Sequence, residues 1–378
     1  MIRVLHSVSN MDRGGIETML MNYYRHTDRE KVQFDFIVNK PKPGDYDGEI
    51  RSLGGNIYLS PGLNPIKYRE YMKFEKGIFD ANPDIKILHA HNEAMGLYAL
   101  NGAKKSGIKV RIAHAHNTRI ERDYKWPLKM FCKKFLTSSA TELWSCGRDA
   151  GIYFFGKKNW ERHGMIMRNA VETENFAFSG AIRADIRKKY NLENKTVIGH
   201  VGRFNIQKNH KRILDIFHEY LKINSDAVLM LTGEGELEDD TKRRARELGI
   251  AEKVLFMGLR SDVAELYQAM DLFLMPSLYE GMPVVGVEAQ ACGLPCLFSA
   301  EITDEVVLSP MARRVPLADG DTKWAEVMSD LLTCGTDRSC GAEIVKKAGY
   351  DIKTEAKRIE DLYIRLSEGE QKWKNQNA

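Results

Sequence analysis

The sequence predicts an α/β protein of two Rossmann-like, doubly wound domains that face each other across a cleft. Three observations lead to this prediction. Short apolar runs alternate with segments of helical periodicity over residues 2–146, and the alternation begins again at residue 196. The 378 residues also exceed what one ordinary hydrophobic core organises. Ligands of such folds bind at the carboxyl ends of the parallel strands, where the motifs below fall.

The first half begins with a buried strand, residues 2–8, which a turn at Gly14 and Gly15 connects to a helix. The two glycines are candidate binding residues, because they would let the backbone approach a ligand closely before the helix starts; the alternative is a plain tight turn. Apolar runs bounded by turn residues predict its strands, and 3.6-residue periodicity predicts its helices. The further strands cover residues 34–38, 54–59, 85–89, 110–115 and 142–146, and the helices cover residues 16–25, 94–105 and 128–136.

The second half repeats this pattern after a junction near residues 167–174. Its predicted strands cover residues 196–201, 227–232, 254–257, 272–275 and 295–299, and its helices cover residues 210–222, 239–248, 263–269, 284–292 and 351–366. We therefore expect a first domain at residues 1–170, a second at residues 171–350 and a C-terminal helical segment at residues 351–378.

Composition is that of an ordinary soluble enzyme, with 43% hydrophobic and 29% charged residues. The apolar run at the N-terminus is too short for a signal peptide, and no stretch reaches the roughly 18 apolar residues of a membrane span. We therefore expect a cytoplasmic protein. Its six cysteines lack zinc-finger spacing and are expected to be free thiols.

Positive charge is concentrated in residues 101–170, which contain 15 Lys and Arg but only five acidic residues, although the whole chain carries +4. Within this stretch, basic residues alternate with aromatic residues over positions 119–135. That pattern suits the anionic inner face of a membrane, to which the protein would bind peripherally. The alternative is a solvated helix whose aromatic residues pack inward. We expect no nucleic-acid partner, because no binding module accompanies the patch.

The most informative segment is residues 277–295, where a strand end is followed by Glu280, a turn and a helix containing Glu288. Pro283 suits the first turn of that helix, where its missing N–H costs nothing. Free N–H groups of Gly281, Met282 and Val284 would form an anion site with the helix dipole. Carboxylates such as these accept sugar hydroxyls in charge-assisted hydrogen bonds.

A second motif, Arg203 with Lys208, follows the first strand of the second half. A guanidinium fork and an ammonium point charge suit a diphosphate, and such groups stabilise the charge on a departing nucleotide. Gly233 and Glu234, after the next strand, lack the third glycine of a dinucleotide fingerprint. Together with Gly258, they are expected near the nucleotide.

Two histidine pairs follow strands of the first half, His89 with His91 and His114 with His116. No acidic ligand accompanies either pair, so we expect no metal. His116 is the candidate to contact a sugar, while His89, His91 and Asn117 are weaker candidates for the acceptor side. The two Asp-x-Asp triplets, residues 45–47 and 319–321, lie in loops and are interpreted as turns.

Together, Gly14-Gly15, Gly202-Arg203 with Lys208, and Glu280 eight positions before Glu288 resemble the retaining GT-B glycosyltransferases of family 4, glycosyl transferases group 1. The resemblance covers nearly the whole chain and is strongest to transferases of bacterial capsule and exopolysaccharide assembly. One departure is Met282-Pro283, where many relatives have Phe-Gly, which leaves the donor sugar open.

The resemblance implies that Arg203 and Lys208 bind the donor diphosphate, Glu288 the ribose, and Glu280 and His116 the transferred sugar. It implies retention without a metal or other cofactor, the leaving diphosphate helping to deprotonate the acceptor. The final helix would cross back onto the first domain.

We therefore expect transfer of a hexose-type sugar from a UDP-sugar to a saccharide, lipid-linked at the inner membrane face. Two other functions stay open: a nucleotide-sugar 2-epimerase of similar fold, and a non-catalytic nucleotide-sugar-binding subunit of a partner transferase.

Overall fold

The computed structural model describes residues 1–333 and 337–369. The chain divides into two compact units, the first formed by Met1–Ala170 with Ile352–Ala378 and the second by Val171–Asp351. Residues 370–378, the end of the expected C-terminal segment, and Cys334, one of the expected free thiols, lie outside the described residues.

The first unit is built on a parallel sheet of seven strands in the order β3-β2-β1-β4-β5-β6-β7. These strands are β1 (Ile2–Val8), β2 (Val32–Val38), β3 (Ile57–Leu59), β4 (Ile85–Ala90), β5 (Val110–Ala115), β6 (Glu142–Ser145) and β7 (Gly164–Ile166). Its helices before the junction are α1 (Gly15–His26), α2 (Asp47–Ser52), α3 (Tyr68–Ala81), α4 (Leu97–Lys105), α5 (Trp126–Ser139), α6 (Arg148–Phe155) and α7 (Lys157–His163). Apolar runs become central strands because helices cover both faces of a parallel sheet.

The second unit has a parallel sheet of six strands in the order β10-β9-β8-β11-β12-β13. These strands are β8 (Thr196–Val201), β9 (Ala227–Thr232), β10 (Val254–Phe256), β11 (Leu272–Met275), β12 (Cys296–Ser299) and β13 (Ala312–Val315). Its helices are α8 (Thr173–Phe176), α9 (Gly180–Lys189), α10 (His210–Tyr220), α11 (Glu238–Glu247), α12 (Val263–Ala269), α13 (Val284–Ala291), α14 (Asp321–Thr333) and α15 (Gly341–Lys347).

The last helix, α16 (Ile352–Ser367), packs in the first unit against α1 and strands β1, β2 and β4. Arg358 donates to the carbonyl of Ile166 at 2.8 Å, and the ring of Tyr363 stacks on Trp144 with centroids 5.5 Å apart. Burial of the apolar face of α16 thus attaches the end of the chain to the first sheet.

Several boundaries differ from the predicted ones, and two differences at turns have local reasons. The strand predicted at residues 54–59 begins only at Ile57, because Gly54 has a positive φ of 88° and ends the preceding turn. The helix predicted at residues 284–292 does begin at Val284, but Pro283, expected in its first turn, is its N-cap, with ψ 119° outside the helical range.

Glu75 is a buried carboxyl group on α3. Neither of its oxygens has a hydrogen-bond partner among the described residues, and Oε2 lies so close to Gly102 on α4 that a Cβ there would be 1.8 Å from it. Burial raises the pKa of Glu75 well above its usual range. The folded protein therefore binds this proton more tightly than the unfolded chain, and the stability it contributes is lost as pH rises from about 4.5 through the raised pKa.

Glu75→Gln is expected to raise the free energy of unfolding at pH 8 relative to the wild type and to flatten its decline between pH 5 and pH 8. The amide cannot ionise, so it avoids the cost of a buried unpaired charge. Denaturant unfolding at both pH values measures this. Glu70→Gln, an exposed position on the same helix, is the control and should change neither value. Equal pH dependence in Glu75→Gln and the wild type would show that Glu75 is ionised or solvated.

Candidate active site

Both sheets have a topological switch point, where neighbouring strands send their connections in opposite directions. In the second unit it lies between β8 and β11, and in the first between β1 and β4. Crevices at the carboxyl ends of such strands are the usual ligand sites of open α/β sheets. In the second unit, the loop after β8 contains Arg203 and Lys208, and the loop after β11 contains Glu280.

The loops that follow β8, β9 and β10 are hydrogen-bonded side by side. Gly202 N donates to Thr232 O at 2.9 Å, and Gly233 N donates to Gly258 O at 2.9 Å. Gly233 has φ 137°, and a Cβ there would lie 2.2 Å from Gly202 O. Glycine is therefore required, because the three loops approach too closely for a side chain. Glu234 lies exposed beside Gly258 at this edge.

Lys208 and Glu280 form an ion pair that links the loops on either side of the switch point. The Lys208 ammonium lies 2.7 Å from Glu280 Oε1, and both side chains are largely buried. Gln207 donates to Glu280 Oε2 at 3.0 Å and to the carbonyl of Tyr279 at 3.0 Å. Both carboxylate oxygens of Glu280 thus have defined donors, which fixes the orientation of the group.

Arg203 follows β8 directly, and its side chain is exposed. Three residues earlier, on β8, His200 Nδ1 lies 2.8 Å from the carbonyl oxygen of Leu274, while Nε2 is buried without a partner among the described residues. Burial, with the nearby Lys208 charge as a smaller cause, lowers the pKa of His200 to about 3. The His200 ring is therefore neutral and adds no charge of its own beside Lys208.

Residues Gly281, Met282, Pro283 and Val284 are buried between the Glu280 turn and α13. Glu288 lies in the second turn of that helix, 9% exposed, and accepts a hydrogen bond from the Tyr267 hydroxyl at 3.0 Å. Burial raises the pKa of Glu288 to about 7, against the opposing effect of the Tyr267 hydrogen bond. The side chain is therefore held in one orientation by a single donor.

Two further polar side chains that the sequence reasoning missed lie at this edge of the sheet. Thr232 Oγ1, at the end of β9, and Ser277 Oγ, after β11, are buried without hydrogen-bond partners among the described residues. Buried hydroxyls are normally hydrogen-bonded, so such atoms at strand ends indicate polar groups prepared for a ligand. Their only sequence signal was their position directly at a predicted strand end.

In the first unit, Gly14 and Gly15 lie at the amino end of α1. Gly14 is the N-cap, and a Cβ on Gly15 would have open space around it within 4 Å.

The Asp-x-Asp triplets have structural partners: Asp45 accepts the N–H of Arg13 at 3.1 Å, and Asp321 lies 3.0 Å from Arg212.

Five histidines at the carboxyl ends of β1, β4 and β5 form a buried cluster: His6, His89, His91, His114 and His116. One chain of contacts runs from the Tyr363 hydroxyl to His89 at 2.7 Å and on to His114 at 2.9 Å. The other runs from His6 to His91 at 2.9 Å and on to His116 at 3.0 Å. The sequence reasoning missed His6, which pairs in register with His89.

Burial keeps the rings of this histidine cluster neutral. It lowers the pKa of His6 and of His116 to about 3, and lowers those of the other three well below the usual range. His116 retains 7% exposure and adjoins Asn117, whereas His89 is completely buried. An acceptor contact by His89, expected from sequence, is therefore not available in this arrangement, because two ring neighbours and Tyr363 enclose it.

The nitrogens of His6, His89 and His91, and those of His91, His114 and His116, lie within 4.8 Å of one another. Neutral imidazoles are metal ligands. However, a Zn–N distance of about 2.0–2.1 Å separates tetrahedral ligand atoms by roughly 3.3 Å. One pair in each trio, His6–His91 and His91–His116, lies closer than that, at 2.9 and 3.0 Å. The spacing is that of rings hydrogen-bonded to each other.

Comparison with known proteins agrees with this architecture. The sequence model of the family described as Glycosyl transferases group 1 matches residues 182–337, and that of Glycosyltransferase Family 4 matches residues 13–144. EpsF of Bacillus subtilis (strain 168), named as a glycosyltransferase, is 34% identical over 96% of both chains. An Escherichia coli enzyme named UDP-Gal:alpha-D-GlcNAc-diphosphoundecaprenol alpha-1,3-galactosyltransferase is 25% identical over 93% of both chains.

Among solved structures, Anabaena HepE in complex with UDP-glucose superposes with a TM-score of 0.80 at 16% identity, over 96% of this chain and 99% of that one. Identity this low shows the fold alone, here the GT-B fold of two Rossmann-like domains. Together with the EpsF similarity along the whole chain, it shows that this protein belongs to the family 4 glycosyltransferases, of the type found in polysaccharide biosynthesis.

Proposed function

We propose that this glycosyltransferase moves a hexose from a UDP-sugar to a lipid-linked saccharide, with retention of anomeric configuration and without a metal. The observation that carries the proposal is the Lys208–Glu280 pair at the switch point of the second sheet, with exposed Arg203 in the same loop after β8 as Lys208. It places two cations and an oriented carboxylate at one sheet edge, the combination that a sugar diphosphate requires.

In this proposal, Arg203 and Lys208 bind the diphosphate and compensate the charge that grows on it as the sugar departs. Glu288 accepts the ribose hydroxyls, and Glu280 accepts a hydroxyl of the hexose. Gly233 and Gly258, in the loops after β9 and β10, allow the backbone to approach the nucleotide closely. HepE structures with UDP and with UDP-glucose support a uridine donor by analogy of fold.

The bond from the anomeric carbon to the diphosphate oxygen breaks, and a bond from that carbon to the acceptor oxygen forms on the same face. The acceptor proton passes to the leaving diphosphate, so the step needs no separate base. Because the two side chains already supply positive charge, the proposal assigns no metal to the diphosphate. His116, kept neutral by burial, offers a ring nitrogen to a sugar hydroxyl.

A thermal-shift screen of nucleotide sugars tests the donor assignment. A UDP-hexose at 100 times its Kd should add about 2.7 kcal/mol to the free energy of unfolding. Arg203→Ala should reduce that shift, while Lys211→Ala, an exposed basic residue at the start of α10, should retain it in full. A shift with GDP-sugars and none with UDP-sugars would contradict the uridine assignment.

An anionic membrane surface is the proposed location of the acceptor. Among the described residues, no helix is long and apolar enough to cross a bilayer. Tyr124 is 87%, Phe131 60% and Phe135 41% exposed, so the aromatic residues of region 119–135 do not pack inward as the alternative required. Exposed rings beside lysines suit insertion between anionic headgroups.

Binding to vesicles containing anionic phospholipid is therefore expected, and it should weaken as salt rises because the Debye length shrinks. Phe131→Ser should reduce this binding, whereas Ile223→Ser, an exposed apolar position of the second unit, should not. Vesicle co-sedimentation between 0.05 and 0.5 M salt measures both, concentrations over which the Debye length falls from about 14 to about 4 Å. If vesicle binding does not change with salt concentration, or is the same in Phe131→Ser and the wild type, the acceptor is soluble.

A further inference from the structure

Glu93 has a backbone conformation that a glutamate rarely adopts. It follows β4 and the His89–His91 pair, and its φ is +51°. The other residues besides glycine with positive φ in the described ranges are Asn191 and Asn209, a residue type that tolerates this region. Strain of this kind persists where the surrounding structure imposes it and is concentrated at functional sites.

The loop that contains Glu93 is held firmly against neighbouring strand ends. His91 N donates to Ser7 O at 2.9 Å, and Ser7 Oγ donates to the side-chain oxygen of Asn92 at 2.7 Å. The Glu93 carboxylate accepts a hydrogen bond from Asn117 Nδ2 at 2.6 Å. The carboxylate is therefore oriented at the carboxyl ends of β4 and β5, the strands that His91 and His116 follow.

We propose that Glu93, with Asn117, binds a hydroxyl group of the saccharide acceptor, a role that rests on the proposed glycosyl transfer. The carboxylate has one oxygen bonded to Asn117 and is half-buried, so its second oxygen is the natural acceptor for a sugar O–H. Asn117 orients the carboxylate and is thus a positioning residue, while Glu93 touches the substrate.

The surroundings of Glu93 favour a neutral hydroxyl over an anion as its partner. Lys129 on α5 has a small electrostatic effect on Glu93, and its ammonium lies 2.9 Å from Asp123. The adjacent rings of His91 and His116 are neutral because of burial. Burial raises the pKa of Glu93 itself to about 7, opposed by the Asn117 hydrogen bond and by Lys129. A partly desolvated carboxyl group gains most from a hydroxyl donor.

Steady-state kinetics with diphosphoundecaprenol-linked GlcNAc, glucose and galactose as probe acceptors test this. Glu93→Gln keeps the shape and an oxygen for Asn117 but removes the charge. It should raise the acceptor KM about tenfold, the loss of one charge-assisted hydrogen bond, with donor KM and donor hydrolysis unchanged. Glu93→Asn suits the left-handed backbone, so it should show the same acceptor defect at an unchanged or higher Tm. Glu161→Gln, an exposed carboxylate on α7, is the control.

An acceptor KM within twofold of the wild type in both Glu93 variants would overturn this inference alone. Equal losses of acceptor affinity, donor affinity and Tm would also overturn it, because they would assign Glu93 a structural role. Absence of transfer by the wild type from any UDP-hexose to any probe acceptor would instead overturn the proposed function, and the Glu93 role with it.

Discussion

Alanine at Arg203 or at Lys208 is expected to lower kcat/KM for glycosyl transfer by roughly 10²-fold or more, by analogy with the loss of one transition-state charge donor. Most of the loss should appear in kcat, since the negative charge on the diphosphate is greatest as the bond to the sugar breaks. Single-turnover and steady-state assays with a UDP-hexose separate the two parameters.

The two variants should differ in stability, which gives the experiment an internal check. Arg203 is exposed, so its removal should leave Tm nearly unchanged. Lys208 is paired with the buried Glu280, and its removal takes the ammonium group away from a buried carboxylate. Loss of one member of a largely buried pair is destabilising. Lys208→Ala should therefore lower Tm as well as kcat.

Lys208→Ala with Glu280→Gln should recover much of that stability but not the activity, because the charge on the diphosphate still lacks its partner. Lys211→Ala, on the next helix, serves as the charge-matched control. Turnover near the wild-type value in both Arg203→Ala and Lys208→Ala would remove these residues from the catalytic site.

Acid is expected to unfold the first unit through its histidine cluster. The pKa values of His6 and His116 are lowered from 6.5 to about 3 by burial. Between these values the unfolded chain binds more protons than the folded one, so stability rises with pH and is lost as pH falls below 6.5. Each such histidine contributes up to about 1.4 kcal/mol per pH unit in that window.

With five rings in one cluster, the free energy of unfolding should fall steeply between pH 6.5 and pH 4.5. Denaturant unfolding across that range measures the slope. His114→Gln removes one titrating group and should make the slope shallower by up to about 1.4 kcal/mol per pH unit, whatever its effect at pH 7. The exposed His163→Gln should leave the slope unchanged. Equal slopes in all three proteins would mean that the cluster accepts protons while folded.

The positions of the buried strands could be predicted from sequence, because a continuous apolar run is a strong signal for such a strand. Five strands have the predicted bounds: β1, β5, β8, β9 and β11. A strand that is covered by helices on both faces is a continuous hydrophobic segment in the sequence. By contrast, α6 and α7 were not predicted. They are short helices on either side of Gly156, whose φ of 78° interrupts what would otherwise be one weak helical pattern.

Candidate site residues could be chosen from sequence because they follow predicted strands. The interactions between these residues could not be predicted from sequence. Glu280 and Lys208 were selected separately, and only the order of β8 and β11 in the sheet makes them partners. His6 was not predicted as a site residue, because a single histidine on a strand does not form a motif with a recognisable spacing. Glu93 was missed for another reason: its signal is a backbone angle, which residue type does not reveal.

Proton NMR of a UDP-hexose incubated with the protein and diphosphoundecaprenol-linked GlcNAc tests the central claim most directly. We predict loss of the donor anomeric signal, release of UDP, and a new glycosidic anomeric signal whose coupling constant shows the configuration of the donor. An epimerised nucleotide sugar without transfer would instead identify a 2-epimerase. Donor binding with neither transfer nor hydrolysis would identify a non-catalytic subunit, and either result would contradict glycosyl transfer by this site.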